Sequence, residues 1–316
     1  MRSNTNQEQI IGRIYQHSLQ IKTVANNSSP NFGKPYITGT LDIVTDEEML
    51  NVVTIHYTFV TEQTKAGGTN SAYTSLKKIM DGGKTVVGDG KDLAWKVRCT
   101  PAIALNDFYP QGQDNLVSRP RHEGGFVTII NELPPEGIDR NKFTVDTLIT
   151  QVEVIEADPE QGIAEDYARI HCAIFNFKND ILPFTLTVRN PSGIKYFEGL
   201  GATGSEPVYT KVWGKISSQT VSMQTETESA FGEAAVDVTQ RTVREWVVTG
   251  AQKEPYAFGE GGLMTMADLQ KAVENRNLML AETKKRSEEY YASHSAAAPM
   301  PNAAPNPGIP AGGFNF

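Results

Sequence analysis

Tyr209–Ile216 reads YTKVWGKI, and Lys211 follows by 115 positions the lysine of an earlier stretch, Ala94–Thr100, which reads AWKVRCT. Both stretches have the two-residue period of a strand, and both carry two cations. In the later one Tyr209, Lys211, Trp213 and Lys215 fall on one face. A core does not take two lysines between its aromatic residues, so this face is read as exposed. In the earlier one Lys96 and Arg98 share a face, while Trp95, Val97 and Cys99 share the other and are expected inside.

Working outward, the order around the two stretches repeats. Ile37–Val44 and Val52–Val60 alternate as strands before the first, and Leu148–Ile155 and Arg169–Phe177 do so before the second. On Val52–Val60, the residues Val53, Ile55, Tyr57 and Phe59 are expected in the core, with Thr54, His56 and Thr58 outside. Each copy has about five short strands and one short helical stretch, the element count of a Greek-key barrel of the OB type. The fold class expected is mainly β, with two tandem OB-like barrels followed by a C-terminal helix and a disordered tail.

The divisions follow composition. Residues 1–33 form a polar extension, with a short amphipathic helix expected around Ile10–Ile21. Residues 34–133 form the first barrel, the Pro- and Gly-rich 134–142 a linker, and 143–250 the second barrel. Thr225–Asp237 is small-residue rich and acidic and is expected to be a loop. Residues 263–292 read as a helix opened by Thr265 and Asp268, a capping-box pattern. Residues 293–316 carry no charged side chain, are rich in Pro, Ala, Gly and Asn, and cannot bury a core.

At 316 residues and a net charge of −8, the chain has room for two domains and no overall basic character. The charge is uneven. Residues 51–100 hold seven cations against four acids, whereas residues 151–200 hold four cations against eight acids. Phosphate contacts respond to local potential, so the acidic total does not exclude a nucleic-acid partner. No apolar run reaches the length of a membrane span, and the polar N-terminus lacks a secretory h-region, so a cytoplasmic protein is expected. Cys99 and Cys172 read as small buried residues.

Local catalytic signatures are absent. GGKT (Gly82–Thr85) lacks the upstream glycine of a phosphate loop, since Lys78 stands there. GxSxG and HExxH do not occur, and His17, His56, His122, His171 and His294 show no metal-ligand spacing. No catalysis, cofactor or metal is expected.

Sequence-tolerant binding of single strands needs cations along the phosphates and aromatic faces for bases. The residues of that kind are Tyr209, Lys211, Trp213 and Lys215, with Lys96 and Arg98 in the first copy. His56, Arg169 and His171 join them from exposed strand faces, Phe175 and Phe177 read equally as stacking platforms or as buried residues, and Arg189 ends the next strand. On these residues the chain resembles the OB-fold single-stranded DNA-binding proteins, in the two-barrel form that bacteriophages encode. The resemblance covers 34–250 and the tailed C-terminus. It implies coating of single-stranded DNA in replication, recombination or repair, in the host cytoplasm for a phage protein. It also implies a tail that recruits replication or recombination proteins, here through Phe314 and Phe316. The end GGFNF departs from the acidic run of bacterial members. The competing expectation is a structural or assembly protein that binds other proteins through its β-domains and C-terminal helix.

Overall fold

A strand, β1 (Asn6–His17), stands where the sequence predicts a helix within an N-terminal extension. Ile10 and Ile14 enter the core while Ile11, on the opposite face, is buried as well. A strand buried on both faces loses its alternation, and its isoleucines then imitate the three-to-four spacing of a helix. The computed structural model describes residues 4–137, 140–158, 163, 165–227 and 235–294, with backbone alone for 219–227 and 235–243. The tail with Phe314 and Phe316 lies outside the described residues.

The first barrel continues through β2 (Gln20–Thr23), β3 (Pro35–Val44), β4 (Val52–Thr61), helices α1 (Ser71–Gly82) and α2 (Val86–Asp89), β5 (Lys96–Cys99), β6 (Ala102–Phe108), β7 (Val117–Glu123) and β8 (Val127–Ile130). β1 pairs antiparallel with β3 on one edge and with β5 on the other. β3 pairs with β4, β5 with β8, and β4 closes the ring by a parallel pairing with β7. α1 lays Tyr73, Leu76 and Ile79 into the same core, after Asn70 caps it by accepting from the Ala72 N–H.

The second barrel repeats these pairings in β9 (Asn141–Ile155), β10 (Tyr167–Phe175), β11 (Ile181–Val188), α3 (Pro191–Gly199), β12 (Val208–Thr227) and β13 (Ala235–Ala251). β9 pairs with β10 and β12, and a parallel pairing of β11 with β13 closes the ring. β9 is therefore the counterpart of β1, and β10 of β3. The lysine-bearing strands β5 and β12 are counterparts, so the repeat seen at Lys96 and Lys211 is a structural one. Strand pairing takes in both ends of Thr225–Asp237, expected to be a loop: β12 extends to Thr227 and β13 starts at Ala235, while 228–234 lie outside the described residues.

The barrels share one sheet. Asn6–Ile10 of β1 pair antiparallel with Val145–Asn141 of β9. Behind this seam Glu8, His122 and Trp246 are buried together, and Trp246 also meets Phe184 edge-on at 4.9 Å.

Helix α4 (Met266–His294) opens with the reciprocal cap of Thr265 and Asp268. Leu269 and Ala272 pack on the outside of the second barrel against Leu148, Phe175, Ile181 and Tyr209. Further along, the buried Arg276 pairs with Asp107 at 2.7 Å, and Lys284 with Asp114 at 2.8 Å, both of the first barrel. The helix thus crosses from one barrel to the other. Among the described residues no helix is long and apolar enough to cross a membrane.

Candidate nucleic-acid interface

The β1–β9 seam puts the two lysine-bearing strands on one surface. Four antiparallel strands run side by side in the order β5, β1, β9, β12. Lys96 lies opposite Arg13, Arg98 opposite Ile11, Gln9 opposite Lys142, Lys142 opposite Lys215, and Trp213 opposite Thr144. Opposed residues share a face, so Lys96, Arg98, Gln9, Lys142, Trp213 and Lys215 all emerge on the outer side. Three interstrand spacings separate β5 from β12, roughly 14 Å.

Trp213 is 40% exposed, and its indole leans on Gly250 of β13, where an added Cβ would stand 2.4 Å from Nε1. Gly250 also lines a cleft of about 380 Å³ between β13 and the first turn of α3, with Asn190, Tyr196 and Lys253 on its walls. Lys215 and Arg98 are exposed. Lys96 gives one hydrogen bond to the Asn131 carbonyl at 3.1 Å. Trp95 is half-buried against the first core, with Lys78 Nζ 5.8 Å from its ring centre.

Two members of the expected aromatic-basic face serve the fold instead. Tyr209 is fully buried, its hydroxyl donates to Asn4 Oδ1, and Tyr256 and Phe258 cover its ring. Lys211 stands 3.7 Å from Asp146, a fully buried carboxylate that also accepts from the Thr5 N–H at 2.7 Å and the Tyr256 hydroxyl at 3.2 Å. Phe175 is a second correction. It does face outward from β10, as its period requires, but the segment 256–272 covers that face and Phe175 meets Tyr209 edge-on at 6.2 Å. A strand's period assigns a face; only the rest of the chain determines what lies over it.

The other residues fall elsewhere. Arg169 and His171 are outward on β10, both beside Glu153, at 3.8 and 3.3 Å. Arg189 pairs with Glu245 at 2.9 Å, and the Tyr167 ring lies 5.6 Å from Arg169 and 5.4 Å from Arg189. On β9, His171 is opposite Gln151 and Trp213 opposite Thr144, so seven residues, or roughly 23 Å of strand, part them. His56 sits at the inter-barrel seam, where burial first, then the Arg121 and Arg244 charges, lower its pKa and keep it neutral. Phe177 is 82% exposed in the β10–β11 turn, which Asn176 Oδ1 fixes by accepting from the Lys178 and Asp180 N–H groups.

One aromatic pair is absent from the sequence reading. Phe59, expected in the core, is 48% exposed and lies against Tyr36 with ring centres 4.6 Å apart and the rings tilted by 40°. The register of β3 and β4 slips between Ile37 and Gly39, so Thr58 and Phe59 together oppose Thr38. This bulge turns Phe59 out while Tyr57 stays in. Gly39 permits it: φ is +131°, and a Cβ would meet the Ser18 carbonyl oxygen at 2.4 Å. Lys22 of β2 lies opposite Tyr36. Strands two and three of an OB barrel are a common place for oligonucleotides. Gly39, a glycine inside a strand pattern, was the available signal for the bulge.

Among the described residues no group of three or more His, Cys, Asp or Glu side chains could hold a metal ion. Burial pushes both thiols up, Cys172 to about 12, which leaves them protonated and inert.

The YorF family model matches residues 6–286, which takes in both barrels and most of α4. No curated protein matches the sequence. Among solved structures, the wild-type single-stranded DNA binding protein from Thermus aquaticus is similar at a TM-score of 0.48 and 9% identity, over 83% of this chain and 98% of that one. A deletion mutant of the same protein gives 0.46 and 11%, over 83% and 100%.

Proposed function

We propose that this chain, which belongs to the YorF family, binds single-stranded DNA without base preference across the outer surface that its two barrels share. The observation that carries the reading is the exposed Trp213 with Lys215 beside it, on one continuous sheet with Lys96 and Arg98. An aromatic face for a base and cations on either side for phosphates are what sequence-tolerant binding requires. The biological setting in this reading is DNA replication, recombination or repair, in the cytoplasm, with Phe314 and Phe316 as a candidate attachment for partner proteins.

The test is a titration with oligo-dT followed by tryptophan emission at two salt concentrations. Trp246 is buried and Trp95 half-buried, so Trp213 should dominate the change. Quenching with an affinity that falls steeply as salt rises is expected from counterion release. Trp213→Ala should weaken binding by about 1–3 kcal/mol, the worth of one stacked base. No binding at low salt overturns the reading. Assembly through protein contacts is the second reading, favoured by Leu278, 66% exposed on α4. Sedimentation that shifts with concentration and is abolished by Leu278→Glu is its signature.

A further inference from the structure

Three cations from separate parts of the chain meet at one carboxylate at the edge of the proposed surface. Arg13 on β1 places Nη1 3.0 Å from both oxygens of Glu47. Lys91, after α2, places Nζ 2.9 Å from Oε2 and donates to the Glu47 carbonyl at 2.7 Å. Arg140, just ahead of β9 and only 6% exposed, places Nη1 3.3 Å from Oε1. The Arg140 guanidinium is fixed by the Pro134 and Thr45 carbonyls, at 2.7 and 3.1 Å. Glu136 accepts the Glu47 N–H and stands 3.9 Å from Arg140. Three positive charges therefore face two negative ones.

Two further features mark this as a site for an anion rather than an ordinary surface pair. Lys96 and Arg13 are directly opposed on neighbouring antiparallel strands, a like-charge pairing that destabilises a sheet unless an anion lies near. Arg13 Nε is buried with no hydrogen-bond partner among the described residues. Glu47 itself is 41% exposed, in the β3–β4 turn, where Asp46 separately accepts the Leu50 and Asn51 N–H groups. Its side chain can swing away without undoing the turn.

We propose that Arg13, Lys91 and Arg140 form a phosphate site, which the Glu47 carboxylate fills in the free protein and yields to a phosphodiester of single-stranded DNA. The inference rests on the DNA-binding reading above. Lys91 first, then Arg13, hold the Glu47 carboxyl down at about 2. It does not leave by protonation at any ordinary pH; a competing anion displaces it. An oxyanion of phosphate can take the same donors, and arginine suits it in geometry. Lys142, two residues beyond Arg140 on β9, and Lys215 opposite it on β12 continue the row toward Trp213, so the site would hold the strand where it leaves the stacking platform.

The test uses the full chain and oligo-dT at two salt concentrations, with wild type, Glu47→Gln, Lys91→Gln and the double variant. Glu47→Gln should bind about three- to tenfold more tightly at low salt, because no internal anion has to be displaced. Its logarithmic salt dependence should steepen, because no freed carboxylate is left beside the strand to take up a counterion. Lys91→Gln should remove most of that gain in the double variant. A Glu47→Gln protein that melts like wild type yet binds no tighter, with an unchanged salt slope, overturns the proposal. A readout without substitution is acetylation of Lys91 in the wild type, which oligo-dT should slow; unchanged acetylation in a saturated complex also overturns it. Wild type that fails to bind oligo-dT at all refutes the DNA-binding reading and this one together. Wild-type binding with an unimproved Glu47→Gln refutes the Glu47 site alone.

Discussion

Trp246 Nε1 donates to Glu8 Oε1 at 2.7 Å, joining the last strand of the second barrel to the first strand of the first. The other oxygen of Glu8 lies 2.8 Å from His122 Nδ1. All three side chains are buried, and the His122 and Trp246 rings are 5.2 Å apart. Glu8→Ala would strand two ring nitrogens at the inter-barrel seam, each worth about 1–3 kcal/mol when left unpaired. Denaturant unfolding should therefore show a loss of roughly 2–5 kcal/mol. A loss below about 1 kcal/mol would mean that water reaches the seam and replaces the carboxylate.

Gly250 sets the position of Trp213. A methyl group there would meet the indole within 2.4 Å, so Gly250→Ala should tilt the ring off β13. The expected outcome is a shifted Trp213 emission and weaker oligo-dT binding with little change in thermal stability, since the contact lies on the outer surface. Unchanged emission would show that the indole does not rest on Gly250.

The Tyr36–Phe59 pair makes a separate prediction for the first barrel. Phe59 is half-exposed, so Phe59→Ala should cost less stability than a core truncation, under about 2 kcal/mol. If a long strand reaches β3 and β4, its binding should weaken by about 1–3 kcal/mol while a short oligo-dT that occupies only the Trp213 platform is unaffected. Equal effects on both lengths would place the pair within the first contact region.

Glu47 also predicts a dependence of stability on acid. Its folded pKa of about 2 lies below the ordinary 4.5, so the ionised form is favoured by folding. Its contribution is complete above pH 4.5 and is lost as pH falls toward 2. Urea midpoints of wild type should fall across that window more steeply than those of Glu47→Gln. Parallel curves would show that the three cations do not hold the carboxylate in solution.

The doubled strand pattern was legible because most strands have one face in a core and one in water, which writes a period of two into the chain. β1 was not, since Ile10, Ile11 and Ile14 are buried on both faces. Without it the two copies were aligned one strand out of step, Ile37–Val44 against Leu148–Ile155, although β5 and β12 still matched. At the site, Lys96, Arg98, Trp213 and Lys215 point as their period requires. Tyr209 and Phe175 occupy the expected outer face too, but residues 256–272 close over them. Nothing within eight residues of either could reveal that. Phe59 failed for another reason: one extra residue in β4 reverses the faces beyond it, and composition does not count residues across a ladder.

The antiparallel pairing of Asn6–Ile10 with Val145–Asn141 joins the barrels by a strand ladder in addition to the connecting chain. In proteins whose modules hang on linkers, the second contact is made at an effective concentration that linker length determines. Here a strand ladder sets the spacing. In the proposed binding mode, a strand held at Trp213 would meet the next contacts at a distance the shared sheet has already chosen, and avidity would be a property of the sheet itself. Such a protein should occupy one length of DNA at every salt concentration, where tethered modules change theirs.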